Sequence, residues 1–180
     1  AIRIGYMATD DPPERIDAVV DICLLVCEPL RHVGRYDFGT SDLPTHAGQI
    51  AFPGGKRELS DTSLEDTALR ETSEEVGIAP GRVELIGCLD DVPTPMGFVI
   101  TPVVGVIHGP LTLTPSQREV AETFTAPLHG LPNVYRHGGH AQWQGHSYVM
   151  HEFHHEQRRI WGATAAITMQ LLHLLDLVEL

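Results

Sequence analysis

The chain has 180 residues, 42% hydrophobic and 20% charged, which fits one domain large enough to bury a sizeable core. Its formal net charge of -12 repels polyanions at long range and argues against nucleic acid as a partner. A phosphate substrate stays open, because bound divalent cations reverse the local field.

Residues 1–15 read as a lead segment, irregular near Asp10-Asp11-Pro12-Pro13. This lead has no apolar h-region, so no signal peptide is expected. From Ile16 to Cys27 the chain reads as a buried strand that Pro29 ends. Residues 30–45 are loop-like, with Gly34, Gly39, Ser41, Asp42 and Pro44. Ile50-Ala51-Phe52 reads as a short strand stopped by Pro53-Gly54-Gly55. A helix follows, with Thr62 or Ser63 as N-cap, Glu65 and Asp66 in the first turn and Gly77 after the last.

Strands are expected at Arg82–Val92, Phe98–His108 and Val120–Thr125, with a turn or loop at DVPTPMG and another loop at Thr114-Pro115-Ser116. Pro127-Leu128 begins a short helix. Residues 133–153 read as a polar hairpin turning at Gly138-Gly139 or at Gly145. Gly162–Leu180 reads as a helix with Ala166, Ile167, Met169, Leu171, Leu174, Leu175 and Val178 on its apolar face. Gln170, His173 and Asp176 make it too polar for a membrane span. The three cysteines, Cys23, Cys27 and Cys88, lie in apolar runs without a disulfide spacing and are expected as buried thiols. Strands, one helix, more strands and a final helix imply a mixed sheet with helices on its faces.

The chemistry concentrates between His46 and Ile78. Helical spacing makes Glu71, Glu74 and Glu75 neighbours, with Leu69 and Val76 on roughly the opposite side to dock on a sheet. Like charges at such spacing cost a few tenths of a kcal/mol (about 0.2–0.5) per pair, which a divalent cation removes. Carboxylate oxygens, retained waters and substrate phosphate suit Mg²⁺. Arg70 lies four residues before Glu74 and can orient it by a bidentate contact. The Phe52-Pro53-Gly54-Gly55 loop can offer carbonyls to a metal or amides to a phosphate. A solvated acidic face is the competing reading of Glu74-Glu75 alone, and the neighbouring Arg70 and glycine loop weigh against it.

Gly55, Asp61 and the run Arg70-Glu71-Thr72-Ser73-Glu74-Glu75-Val76-Gly77-Ile78 together resemble the Nudix box. Asp61 stands where that family has Glu, eight residues rather than seven separate it from Arg70, and Thr72 fills a hydrophobic position. LPTHAGQIAFPGGK, the extra residue before Arg70, LDDVPTPMGFVITPVVGVI, Glu119-Val120 with Pro127-Leu128, and IWGATAAI resemble the coenzyme A pyrophosphatase branch, so the likeness covers roughly residues 16–178. Residues 30–45 depart from that branch's Leu-Leu-Thr-any-Arg-Ser segment, which favours other substrates.

The resemblance implies a Nudix-type α/β/α sandwich with a mixed central sheet, in a single domain spanning residues 1–180. It implies Mg²⁺ or Mn²⁺ on Glu71 and Glu75, with Glu74 and the Gly55 carbonyl as further ligands. His46, Gln49, Phe52 and Gly54 would meet substrate, and Arg70 would orient a glutamate. Glu119 is the expected general base, with Glu75 and Glu74 as competitors. The expected reaction is hydrolysis of a diphosphate in coenzyme A or acyl-coenzyme A, giving 3′,5′-ADP and 4′-phosphopantetheine. ADP-ribose, a dinucleoside polyphosphate or a nucleotide is the alternative substrate, and a catalytically silent binding module the alternative from another class.

Among the remaining residues, His151, His154 and His155 match no zinc pattern and read as surface or hairpin histidines. Trp143, Tyr148 and Trp161 read as packing residues in the core or an interface rather than adenine platforms. A small-molecule nucleotide partner, no nucleic acid, no membrane and a cytoplasmic location complete the expectation. A homodimer is left open.

Overall fold

The computed structural model describes residues 2–8, 20–28, 50–94, 99–108, 111–116, 120–143 and 145–179. In chain order these form strands β1 (Ile2–Ala8), β2 (Val20–Glu28), β3 (Ile50–Ala51) and β4 (Gly54–Lys56), then helix α1 (Leu64–Val76). Strands β5 (Val83–Cys88), β6 (Val92–Pro93), β7 (Val99–His108) and β8 (Val120–Pro127) follow, then a 3-10 turn at Leu128–Val134. Strands β9 (Tyr135–Trp143), β10 (His146–His155) and β11 (Arg158–Trp161) lead into helix α2 (Gly162–Leu174).

The first eight strands make one mixed sheet with a path β3-β1-β2-β7-β5, to which β4, β6 and β8 attach. β1 pairs antiparallel with β2 and parallel with β3 and β8. β2 pairs antiparallel with β7 and parallel with β4. Strand alternation decides which helix covers which face. On β7, Val103 and Ile107 join Ala68 and Val76 of α1 in one buried cluster. Val104, with Ile100 packed beside it, belongs to a second cluster with Ala165, Ile167, Met169, Leu171 and Leu172 of α2, and with Phe153 and Leu131. The central sheet thus lies between two helix-bearing layers. Each fully buried aliphatic or aromatic side chain contributes about 1.5–3 kcal/mol to that arrangement.

Several expectations are corrected. The lead segment contains β1, whose partners β3 and β8 lie far along the chain. The strand at Ile50–Ala51 does stop before Pro53, but Gly54-Gly55 then opens a further strand, β4, registered against Val26 and Cys27. Beyond the central sheet there is a second, antiparallel sheet in the order β11-β10-β9. Its hairpin turns at Gly145 (φ 81°), while Gly138 lies inside β9, where a side chain would strike Met150. Helix α2 stops at Leu174, because the chain turns at Asp176 (φ 54°) and Leu174 and Leu175 are exposed. Cys88 is exposed rather than buried, since β5 is the last strand of the sheet path. Residues 30–45 lie outside the described residues. Among the described residues, no helix is long and apolar enough to cross a membrane.

Candidate functional site

Helix α1 begins and ends where local chemistry dictates. Ser63 Oγ accepts from the Asp66 amide at 3.1 Å, and Asp66 Oδ2 accepts from the Thr62 amide at 3.2 Å, a reciprocal cap that fixes the entry of the helix. At the other end Gly77 adopts φ 75° and donates its amide to Ser73 O. A Cβ at Gly77 would also press on Thr114 at 2.9 Å, so that position demands glycine twice over.

The sheet-facing side of α1 carries Thr67, Ala68, Thr72, Glu75 and Val76, with Leu69 only partly buried. The expected common face of three carboxylates is therefore corrected. Glu75 is 6% exposed, and its Oε2 accepts the Gly54 amide at 3.2 Å. Glu71 lies against Gly55, where an added Cβ would collide with the carboxylate. Glu74 points outward, with its side chain 57% exposed. Two carboxylates are thus pressed onto β4, and one borders solvent. The glycines of the loop serve close approach to these acids, which is a backbone role no larger residue can fill.

Arg70 ties the site together. Its Nε donates to Asp61 Oδ1 and its Nη2 to Asp61 Oδ2, both at 3.1 Å. Nη2 also donates to Lys56 O at 3.1 Å. Nη1 donates to Glu71 Oε1 at 2.9 Å and to Glu74 Oε2 at 3.1 Å. These contacts account for all five N–H donors of a guanidinium. The bidentate partner is Asp61, not Glu74 as expected, because the turn before α1 brings Asp61 alongside the fork. Asp61 is 8% exposed and also accepts from the Glu58 amide at 2.8 Å and Thr67 Oγ1 at 2.9 Å. The Arg70 hydrogen bonds, then the Glu58 amide, hold the Asp61 carboxyl well below its ordinary 3.8. Its hydrogen bonds to Asp61, and then to Glu71, raise Arg70 above its ordinary value.

Three carboxylates, those of Asp61, Glu71 and Glu74, contact the Arg70 guanidinium, and a fourth, Glu75, lies beside them on the Gly54 amide. Hard oxygen donors in excess negative charge fit a divalent cation. Among the described residues no three Asp, Glu, His or Cys side chains converge as a finished metal cage.

Of the expected site residues, Arg70, Glu71, Glu74, Glu75, Gly54 and Gly55 come together at the α1–β4 contact. Phe52 is buried in the core cluster with Ile50 and Val104, where it anchors the loop by packing. His46, Gln49 and Glu119 lie outside the described residues, so no position is assigned to them. Asp61 and Arg57, which donates to Asp61 O and Thr62 O, were not among the expected site residues. Asp61 had a signal in its box spacing, whereas Arg57 had none. Trp161 is not a core residue: it is 41% exposed, with the Arg159 guanidinium 5.5 Å from its ring centroid, and Tyr148 is likewise 41% exposed.

The chain matches the family model described as the NUDIX domain over residues 24–163. It is 41% identical over 135 residues to a protein of Pectobacterium atrosepticum, a match covering 73% of this chain and 69% of that one. It is 44% identical over 139 residues to a protein of Citrobacter koseri, covering 72% and 68% of the two chains. A Salmonella newport protein is 43% identical over 139 residues, again covering 72% and 68%. Each of these relatives is named an uncharacterised Nudix hydrolase, NudL.

Proposed function

The chain belongs to the Nudix hydrolase family, and we propose that it hydrolyses the diphosphate of coenzyme A or an acyl-coenzyme A to 3′,5′-ADP and the 4′-phosphopantetheine product. The observation that carries the chemistry is the contact of Glu71 and Glu75 with the Gly54-Gly55 backbone, under an Arg70 whose donors are all engaged within the protein. The substrate assignment is supported by the sequence segment LPTHAGQIAFPGGK and rests on that likeness.

Glu71 and Glu75 would hold Mg²⁺ or Mn²⁺, joined by Glu74 and the Gly55 carbonyl. A bound ion supplies charge neutralisation on the diphosphate and acidifies a water. The chain's own part is geometric. The Gly54 amide fixes the Glu75 carboxylate, and Gly55 leaves room for that of Glu71. Arg70 orients Glu71 and Glu74 and reaches no substrate, since its donors are spent. His46, Gln49 and Gly54 are assigned to the substrate side. The proton acceptor is assigned to Glu119, ahead of Glu74 and Glu75 on the helix. Water attacks one phosphorus, and the other phosphate leaves with its moiety.

A second substrate class, ADP-ribose or a dinucleoside polyphosphate, is favoured by the departure at residues 30–45. Incubation with Mg²⁺ or Mn²⁺ and a panel of coenzyme A, acyl-coenzyme A, ADP-ribose and dinucleoside polyphosphates, followed by product separation, decides between them. Release of 3′,5′-ADP from coenzyme A is the expected result. Cleavage of ADP-ribose alone overturns the specificity, and cleavage of nothing overturns the activity.

A further inference from the structure

The turn at 57–62 carries a second arginine with no partner among the carboxylates assigned to the described site. Arg57 Nε and Nη2 both donate to the Asp61 carbonyl, at 3.3 and 3.1 Å, and Nη2 also reaches Thr62 O at 3.1 Å. Asp61 is therefore held at both ends. Arg57 grips its backbone and Arg70 its carboxylate. Within the turn the Asp61 amide donates to Glu58 O, and the Glu58 amide returns to Asp61 Oδ2. The turn is otherwise exposed at Leu59 and Ser60, so no core packing holds it in place.

This clamp coincides with two departures from the Nudix box, an aspartate in place of the usual glutamate and one additional residue before Arg70. Oδ2 of Asp61 already meets Glu58 N, Thr67 Oγ1 and Arg70 Nη2, and the side chain is nearly buried. One more methylene would push the carboxylate about 1.5 Å into those donors. The additional residue falls between Asp61 and Arg70, and the turn just before Ser63 is where Arg57 collects the Asp61 and Thr62 carbonyls. A shorter acid on a longer spacer is a matched pair, and Arg57 holds the spacer in its register.

We propose that Arg57 is a positioning residue for the α1 carboxylates, acting through the Asp61 backbone and the Arg70 fork on Glu71 and Glu74. It touches neither substrate nor reacting atoms. Its consequence for turnover rests on the activity proposed above, but its consequence for Arg70 does not. An exposed turn fastened by side-chain-to-carbonyl bonds has two fates on losing the fastener. It either stays put by its own backbone bonds, or it drifts and takes Asp61 with it. The matched-pair geometry requires the second.

The test uses the full chain and three variants, Arg57→Gln, Arg57→Lys and Asp61→Glu. Three measurements are made: the Arg70 Nε–Hε resonance by nitrogen-resolved NMR, Mn²⁺ binding by electron paramagnetic resonance, and kcat and KM with the substrate the panel identifies. Arg57→Gln is expected to fold as wild type by circular dichroism while the Arg70 signal shifts or broadens. It weakens Mn²⁺ binding several-fold and lowers kcat about tenfold with KM little changed, since a misplaced fork disturbs orientation more than binding. Arg57→Lys, which keeps one donor, recovers part of each loss. Asp61→Glu, although it installs the family's usual acid, is as damaging as Arg57→Gln. An unmoved Arg70 resonance in Arg57→Gln overturns the proposal, as does wild-type kcat in Asp61→Glu. A wild type that cleaves no diphosphate overturns the proposed function instead, and the Arg70 resonance then still decides the clamp.

Discussion

Helices α1 and α2 are each thirteen residues long and flank the same sheet, yet they are held by different forces. Helix α1 has six charged residues, Glu65, Asp66, Arg70, Glu71, Glu74 and Glu75, and a side-chain cap at Ser63. Helix α2 has no Asp, Glu, Lys or Arg, no side-chain cap, and buries Ala165, Ile167, Thr168, Met169, Leu171 and Leu172. Its few polar ties include Thr164 Oγ1 to Ile50 O at 2.9 Å. Directional bonds specify where α1's carboxylates point, and volume specifies where α2 sits. Hydrogen bonds to charged groups are angle-sensitive, so they fix orientation. Apolar burial is non-directional, so it fixes stability. The chain spends its directional bonds on the helix that carries the chemistry.

Each prediction breaks one side of this contrast. The largest effect is expected for Glu75→Gln, which removes a charge from the site while keeping its shape. Turnover should fall on the order of 10²–10⁴-fold with the thermal midpoint nearly unchanged, measured by initial rates beside circular dichroism. Phe153→Ala attacks the other side. It empties the α2 cluster and should cost about 3–5 kcal/mol in chemical denaturation, while the molecules still folded keep the wild-type kcat. Gly55→Ala sets a methyl group against the Glu71 carboxylate. Displacement of that group by about 1 Å should reduce kcat about 10²-fold, with a smaller loss of stability than Phe153→Ala.

Acid distinguishes the regions by titration. The folded Asp61 carboxyl titrates below its unfolded value of 3.8, so its stabilising contribution is complete above that pH and is lost as pH falls through the depressed folded value. On β10, Arg159 and then His154 hold Glu152 at about 2 against an ordinary 4.5, giving the second sheet an acid-labile carboxylate of its own. Thermal midpoints measured from neutral pH into strong acid should drop within the acid range. Asp61→Asn and Glu152→Gln should each remove part of that drop. The smallest effect is expected at Thr72, buried in α1 with its hydroxyl unpartnered. Thr72→Val should raise stability by about 1 kcal/mol in urea titration, with kcat unchanged.

The ends of α1 were legible because caps are local. Ser63, Asp66 and Gly77 act within a few residues of one another. The carboxylates Glu71, Glu74 and Glu75 were legible as a group for the same reason. Their separate fates were not, since Glu75 is buried and Glu74 exposed only because of how α1 seats on β4. β4 itself was hidden, because Gly54-Gly55 carries no strand propensity and pairs with residues of β2 far back in the chain. β1 was hidden likewise by its distant partners. β11 follows a turn in which Glu156 takes φ 54°, a conformation that no glycine announces. Arg70 was matched with Glu74 by helical spacing, while its bidentate partner Asp61 lies nine residues away across a turn.

The central claim is that the α1–β4 contact is a metal-dependent diphosphatase site. The most direct test is the initial rate of diphosphate cleavage by the chelator-treated wild type as Mg²⁺ or Mn²⁺ is added back. The account predicts no cleavage under chelator, and a saturable return of activity that Glu75→Gln fails to show. Cleavage that persists under chelator, or undiminished activity in Glu75→Gln, would contradict it.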